Sequence, residues 1–157
     1  MNVLEARCHH AYQRSCYTSL AWASPTEQVH ALAREVIDRA RAVTKMDSSG
    51  PRRLVCSLKE AYRHLPHRAL CVFVASDIVQ SPVSPYDVLK MRNTIVQTAA
   101  AHNIPCIATM TKKEIGSVFG QGASVCCAAV VCVDGLEWEF QMLLDALDAL
   151  RRIDQYR

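Results

Sequence analysis

Three short segments of this chain are apolar at almost every position: ALCVFVA over residues 69–75, CIATM over 106–110 and VCCAAVVCV over 125–133. A strand with one wet face alternates polar and apolar side chains, so near-continuous apolar runs predict strands covered on both faces. The covering material lies between them in the chain. Val29, Leu32, Val36, Ala40 and Val43 recur at helical spacing, as do Val88, Met91, Ile95 and Ala99, and Leu136 to Ile153 is amphipathic in the same way. Helices alternating with buried strands predict an α/β fold, a three-layer α-β-α sandwich in which a small mixed sheet is enclosed by helices.

Local signals set the expected boundaries. Ser24-Pro25-Thr26-Glu27 is a capping box with proline at the first helical position, and the helix it opens should end at the turn residues Asp47-Ser48-Ser49-Gly50-Pro51. A second helix is expected from Pro51 through LVCSLKEAYRHL, stopped by Pro66. A polar loop spans Ser76 to Pro85, a helix residues 86–102, and Thr111 caps the short helix TKKEIGSVFG before the loop Gly120-Gln121-Gly122-Ala123-Ser124. Residues 1–23 show no periodicity and are read as an N-terminal extension to a single domain over 24–157.

Half of the residues are hydrophobic and 21% are charged, the composition of a folded domain. No segment approaches the ~20 consecutive apolar residues that cross a bilayer, which predicts a soluble protein. The N-terminal stretch has no apolar core of signal-peptide length, so the expected location is cytoplasmic or nuclear, with organelle targeting the alternative that its arginines, serines and few acids leave open. The net charge of +3 names no partner, but its distribution is uneven. Between Arg52 and Arg68, Glu60 is the single acid among Arg52, Arg53, Lys59, Arg63, Arg68 and two histidines. From Asp134 to Asp154 six carboxylates face two arginines. Of the eight cysteines, Cys56, Cys71, Cys106, Cys127 and Cys132 lie in apolar runs and are read as reduced, small hydrophobes.

The segment RRLVCSLKEAYRHL concentrates the chemistry. On one helix, Lys59, Glu60 and Arg63 would be surface neighbours, with Arg52 and Arg53 at its start and Leu54, Val55, Leu58 and Leu65 turned to the core. A carboxylate between cations suits non-canonical base pairs: the acid accepts from a guanine edge or amino group while the cations meet phosphates. The same pattern also describes a solvated, ion-paired helix face.

RRLVCSLKEAYRHL, RALCVFVASDI, AAAHNIPCIATMTKKEIGSVFG and the apolar strand through VVCV together resemble, in order and spacing, the ribosomal L-seven-Ae and L-thirty-e kink-turn-binding family over about residues 52–157. In Ser57-Leu58-Lys59-Glu60 a leucine and a basic residue precede the glutamate. That form is similar to the branch that binds selenocysteine-insertion (SECIS) elements, whereas ribosomal members usually carry glycine, a small residue and asparagine. The loop from Asp77 to Asp87 also resembles that branch in length. The resemblance implies an RNA partner with tandem sheared G·A pairs in a kink-turn, with no cofactor, no metal and no chemical step. It implies that Lys59, Glu60 and Arg63 meet the G·A pairs, and that Lys112 faces a phosphate. It also implies that Gly122-Ala123-Ser124-Val125 cover the extruded nucleotide. Ser57 stands where the family tends to have glycine, and the covering loop lacks the proline and flanking base of many members. A SECIS element in selenoprotein mRNA is the preferred target; a structural role in a ribosome or other ribonucleoprotein, or a protein-binding module on the same fold, are the alternatives.

The residues speak against two further classes of function. Catalysis by Cys126-Cys127 with His64, His67 and His102 lacks an orienting acid, and adjacent cysteines on a strand point to opposite faces. There is no Gly-rich phosphate loop, C-x-x-C or nucleophile elbow. Metal binding by Cys8, His9, His10 and Cys16 has suitable ligand types but not structural-zinc spacing.

Overall fold

The computed structural model describes residues 25–79, 87–119 and 122–155. In chain order it contains α1 (Pro25–Met46), β1 (Leu54–Cys56), α2 (Leu58–His64), β2 (Cys71–Val74), α3 (Val88–Ala101), β3 (Cys106–Ile107), α4 (Lys112–Ser117), β4 (Cys127–Val130) and α5 (Glu137–Gln155). The sheet order is β1-β4-β2-β3, with β4 antiparallel to both its neighbours and β2 parallel to β3.

The sheet is mixed and enclosed on both faces, as the apolar runs require. Every residue of β2 and β4 is buried, and alternate side chains divide between two cores. Cys71, Phe73, Ala128 and Val130 join Val29, Val36, Ile37, Ile115 and Leu143 of α1, α4 and α5 on one face. Val72, Val74, Cys127 and Ala129 join Val55, Ala61, Leu65, Ile95 and Ala99 of β1, α2 and α3 on the other. Phe73 is fully buried at the centre of the first core, and burying a ring of that size stabilises by ~1.5–3 kcal/mol.

The expected helix from Pro51 to Leu65 is corrected to a strand followed by a helix. Leu54, Val55 and Cys56 pair with Val130, Ala129 and Ala128, so the ladder of β4 overrides a pattern that also fits a helix. Ser57 is extended and caps α2, its hydroxyl accepting from the Glu60 amide at 3.1 Å. The other strands are shorter than their apolar runs because only part of each run finds ladder partners. The helix expected over 86–102 begins at Val88, capped by the Asp87 carboxylate. Thr111 caps α4 as expected, with Glu114 completing the capping box. Ser24, residues 1–23 and most of the 76–85 loop lie outside the described residues.

Candidate nucleic-acid interface

The strand register fixes which candidate residues come together. Cys56 lies opposite Ala128, so β1 ends, and α2 begins, at the end of the sheet where β4 starts. The segment Gly122–Val125 leads directly into that start. β2 ends there too: the Ala75 amide donates to the Cys126 carbonyl at 2.9 Å. β3, parallel to β2, delivers the chain to α4 at the same end, where the Ser76 amide donates to the Met110 carbonyl at 2.8 Å. Ser57, Lys59, Glu60, Lys112 and the 122–125 segment are therefore gathered at one end of the sheet.

α2 supplies the charged group. Its Ala61 and Leu65 are buried, which leaves Lys59 and Arg63 exposed and Glu60 half-buried. Arg63 Nη1 lies 3.3 Å from Glu60 Oε1, one turn apart. A surface pair of this kind adds only ~0–1 kcal/mol to stability, so what it provides is a fixed arrangement of one acid and one base. One turn on from Glu60, His64 Nδ1 is 2.8 Å from the Glu60 carbonyl. Ser57 is accommodated without strain: it has φ 161°, an extended backbone open to any residue, and its hydroxyl is already engaged as the cap.

The apolar segment is mounted on α4. The Val125 amide donates to the Lys112 carbonyl at 3.1 Å, and the Lys112 amide donates to the Asp77 carboxylate at 2.8 Å. Gly116 packs directly against the backbone of Ala123 and Ser124. Gly122 adopts φ 69°, the left-handed conformation that glycine reaches freely. Gly122 and Ser124 are exposed, and Ala123 and Val125 half-buried, so the segment presents small side chains and one partly covered valine. α4 is itself braced from α1: His30 Nε2 is 3.0 Å from Glu114 Oε2, and His30 Nδ1 is 3.0 Å from the Thr109 carbonyl.

Arg52 and Arg53 are not part of this group. They precede β1 and so lie at the opposite end of the sheet, where the Val131 amide donates to the Arg53 carbonyl. Arg53 is 3% exposed; its guanidinium donates to the carbonyls of Asp134 and Pro51 and lies 3.9 Å from the Asp47 carboxylate. A buried cation with three acceptors around it is a strut between the α1–β1 and β4–α5 connections, which corrects its reading as a residue facing a ligand. Arg52 is exposed and donates to the Leu54 carbonyl at the same far end. Sequence reasoning also missed Asp77 and Gly116. Nothing local marks Asp77, whereas a glycine inside the TKKEIGS pattern is a packing signal that could have been read.

The thiols are free in all six described cysteines. Burial pushes the Cys56 thiol up to about 11 and those of Cys71 and Cys127 higher still, the reverse of what a nucleophilic cysteine needs. Among the described residues no three His, Cys, Asp or Glu side chains are grouped to hold a metal ion; Cys8, His9, His10 and Cys16 lie outside them.

The chain matches no protein-family profile. It is 24% identical over 127 residues to the selenocysteine insertion sequence-binding protein 2 of Rattus norvegicus, and equally to that of Mus musculus, an alignment covering 79% of this chain. The aligned part spans only 15% of the length of these curated relatives. Among solved structures, the 15.5kD RNA binding protein of Giardia lamblia superposes with a TM-score of 0.58 at 9% identity, covering 79% of this chain and 88% of that one. A protein of unknown function from Bacillus halodurans superposes with a TM-score of 0.51 at 10% identity, covering 70% and 94%. The chain is thus similar in sequence to the selenocysteine insertion sequence-binding proteins and shares its fold with the Giardia lamblia protein.

Proposed function

We propose that this chain binds RNA, recognising a kink-turn with tandem sheared G·A pairs, and that its preferred target is a SECIS element in selenoprotein mRNA. The observation that carries the reading is the common position of two unlike surfaces at one end of the sheet: the Lys59, Glu60 and Arg63 group of α2, and the small apolar segment 122–125 held by α4. Glu60 accepts from guanine edges, Lys59, Arg63 and Lys112 neutralise phosphates, and Gly122 to Val125 shield the extruded base without competing for its hydrogen bonds. The sequence likeness to proteins named for binding selenocysteine insertion sequences supports the choice of RNA. The reading assigns no cofactor and no chemical step, and places the protein in the cytoplasm or nucleus, where such RNAs are met.

A second reading is favoured by the Giardia lamblia neighbour, named only as an RNA binding protein. Here the same surface would hold a kink-turn within a ribosome or other ribonucleoprotein. Titration against a SECIS RNA, a ribosomal kink-turn and a straight duplex, each in rising salt, separates the readings. Preference for the SECIS RNA is expected, with affinity falling in proportion to the phosphates neutralised. Equal binding to both kinked RNAs supports the second reading, and absence of saturable binding at low salt leaves a protein-binding module. Glu60→Ala should lose ~1–3 kcal/mol of specific binding with the fold intact.

A further inference from the structure

The outer side of α2 continues the charged group beyond Glu60. Lys59, Tyr62 and Arg63 are all exposed, and at about 100° per residue they fall in one stripe of α2, away from the buried Ala61; the exposed Pro66 follows in the turn. Tyr62 is 48% exposed, and no other described Phe, Tyr or Trp reaches the exposed class. His67 and Arg68, both exposed, carry the basic surface on through the turn after α2. Glu60 is the only acid from Leu58 to Leu70, and it is paired with Arg63.

An isolated exposed ring is ordinary on a protein surface. This ring is unusual in its neighbours: a lysine one turn before it and an arginine beside it, the arginine paired with Glu60. A surface meeting only duplex phosphates needs the cations but not the ring. The core of a protein-binding patch is depleted of charge around a central tyrosine, whereas Lys59 and Arg63 flank this one. A ring face between cations fits an unstacked nucleotide, whose base takes the ring and whose flanking phosphates take the charges.

We propose that Tyr62 is a stacking platform for an unpaired nucleobase adjoining the kinked element, with Lys59 and Arg63 at the phosphates on either side of it. The assignment rests on the RNA reading of α2, and it makes the preferred target a kink-turn flanked by at least one unpaired nucleotide.

The test uses the full chain and kink-turn RNAs carrying 2-aminopurine at an unpaired position on either side of the G·A pairs. Wild type should bind and quench the probe at one of the two positions. Tyr62→Ala should bind about 5- to 150-fold more weakly and lose the quenching, while melting as wild type does. Tyr62→Phe, which keeps the ring, should behave as wild type. Removing the unpaired nucleotide should weaken wild type but not Tyr62→Ala. Wild-type affinity and quenching in Tyr62→Ala overturn the platform and leave the kink-turn reading standing. Loss of affinity in Tyr62→Ala for a protein partner, with RNA affinity unchanged, overturns it likewise. Failure of wild type to bind any of these RNAs removes both readings together.

Discussion

Gly116 of α4 lies against the Ala123 backbone so closely that even a methyl group at position 116 would overlap the Ala123 carbonyl. The apolar segment and the helix that carries Lys112 are therefore one unit, since Val125 is also hydrogen-bonded to the Lys112 carbonyl. Gly116→Ala should force the segment away from α4, costing ~1–3 kcal/mol of stability as overpacking does. Thermal unfolding measures the cost, and RNA titration of the folded variant should show weakened binding. A variant with unchanged stability and affinity would show that the segment moves freely.

Ser57 should be more important as a cap than as a contact. Ser57→Ala leaves the Glu60 amide without its acceptor and should destabilise by ~0.5–2 kcal/mol, whereas Ser57→Gly should cost only about 0.3 kcal/mol. Denaturant unfolding of the two variants checks the order. If alanine proves the milder change, the hydroxyl is not stabilising α2.

Arg53 and Arg52 should behave differently from each other and from Lys59. Arg53→Met strands the Asp134 and Pro51 carbonyls and should lower stability by ~1–3 kcal/mol, while the RNA affinity of the folded protein stays unchanged. Arg52→Ala, an exposed change at the same end of the sheet, should stay within ~0.5 kcal/mol. A loss of affinity in folded Arg53→Met would return this residue to the interface.

Alkaline pH should destabilise the fold in a defined window. Burial raises the Cys56 thiol in the folded chain from 9.0, its ordinary value, to about 11. Because the folded-state value is the higher one, the associated stability is complete below about 9.0 and is lost as pH rises through about 11. Unfolding curves across that window should show the decline. Cys56→Ala should flatten part of it, and a slope identical to wild type would assign the decline to other groups.

The sequence carried the layered architecture because burial on both faces leaves a signature in β2 and β4 that no single-faced strand produces. The amphipathic helices α1, α3 and α5 and the Thr111 cap were legible for the same reason: each repeats one local rule over several residues. β1 was not, since three residues, Leu54 to Cys56, are too few to show a period, and their strand form depends on β4, more than seventy residues away. A local clue did exist, because Ser57-Leu58-Lys59-Glu60 has the S-x-x-E spacing that marks a helix start at Ser57 rather than at Pro51. The charged members of the candidate site on α2 were identifiable by type and spacing. That Arg53 turns inward was not, because its acceptors come from Pro51, Asp47 and the distant Asp134.

The most direct measurement is photo-crosslinking from a kink-turn RNA that carries 4-thiouridine as its extruded nucleotide. Cross-links should fall within residues 122–125, and Glu60→Ala, altered only on α2, should reduce their yield because one RNA spans both surfaces. Cross-links to any other part of the chain, or an undiminished yield in Glu60→Ala, would contradict the account.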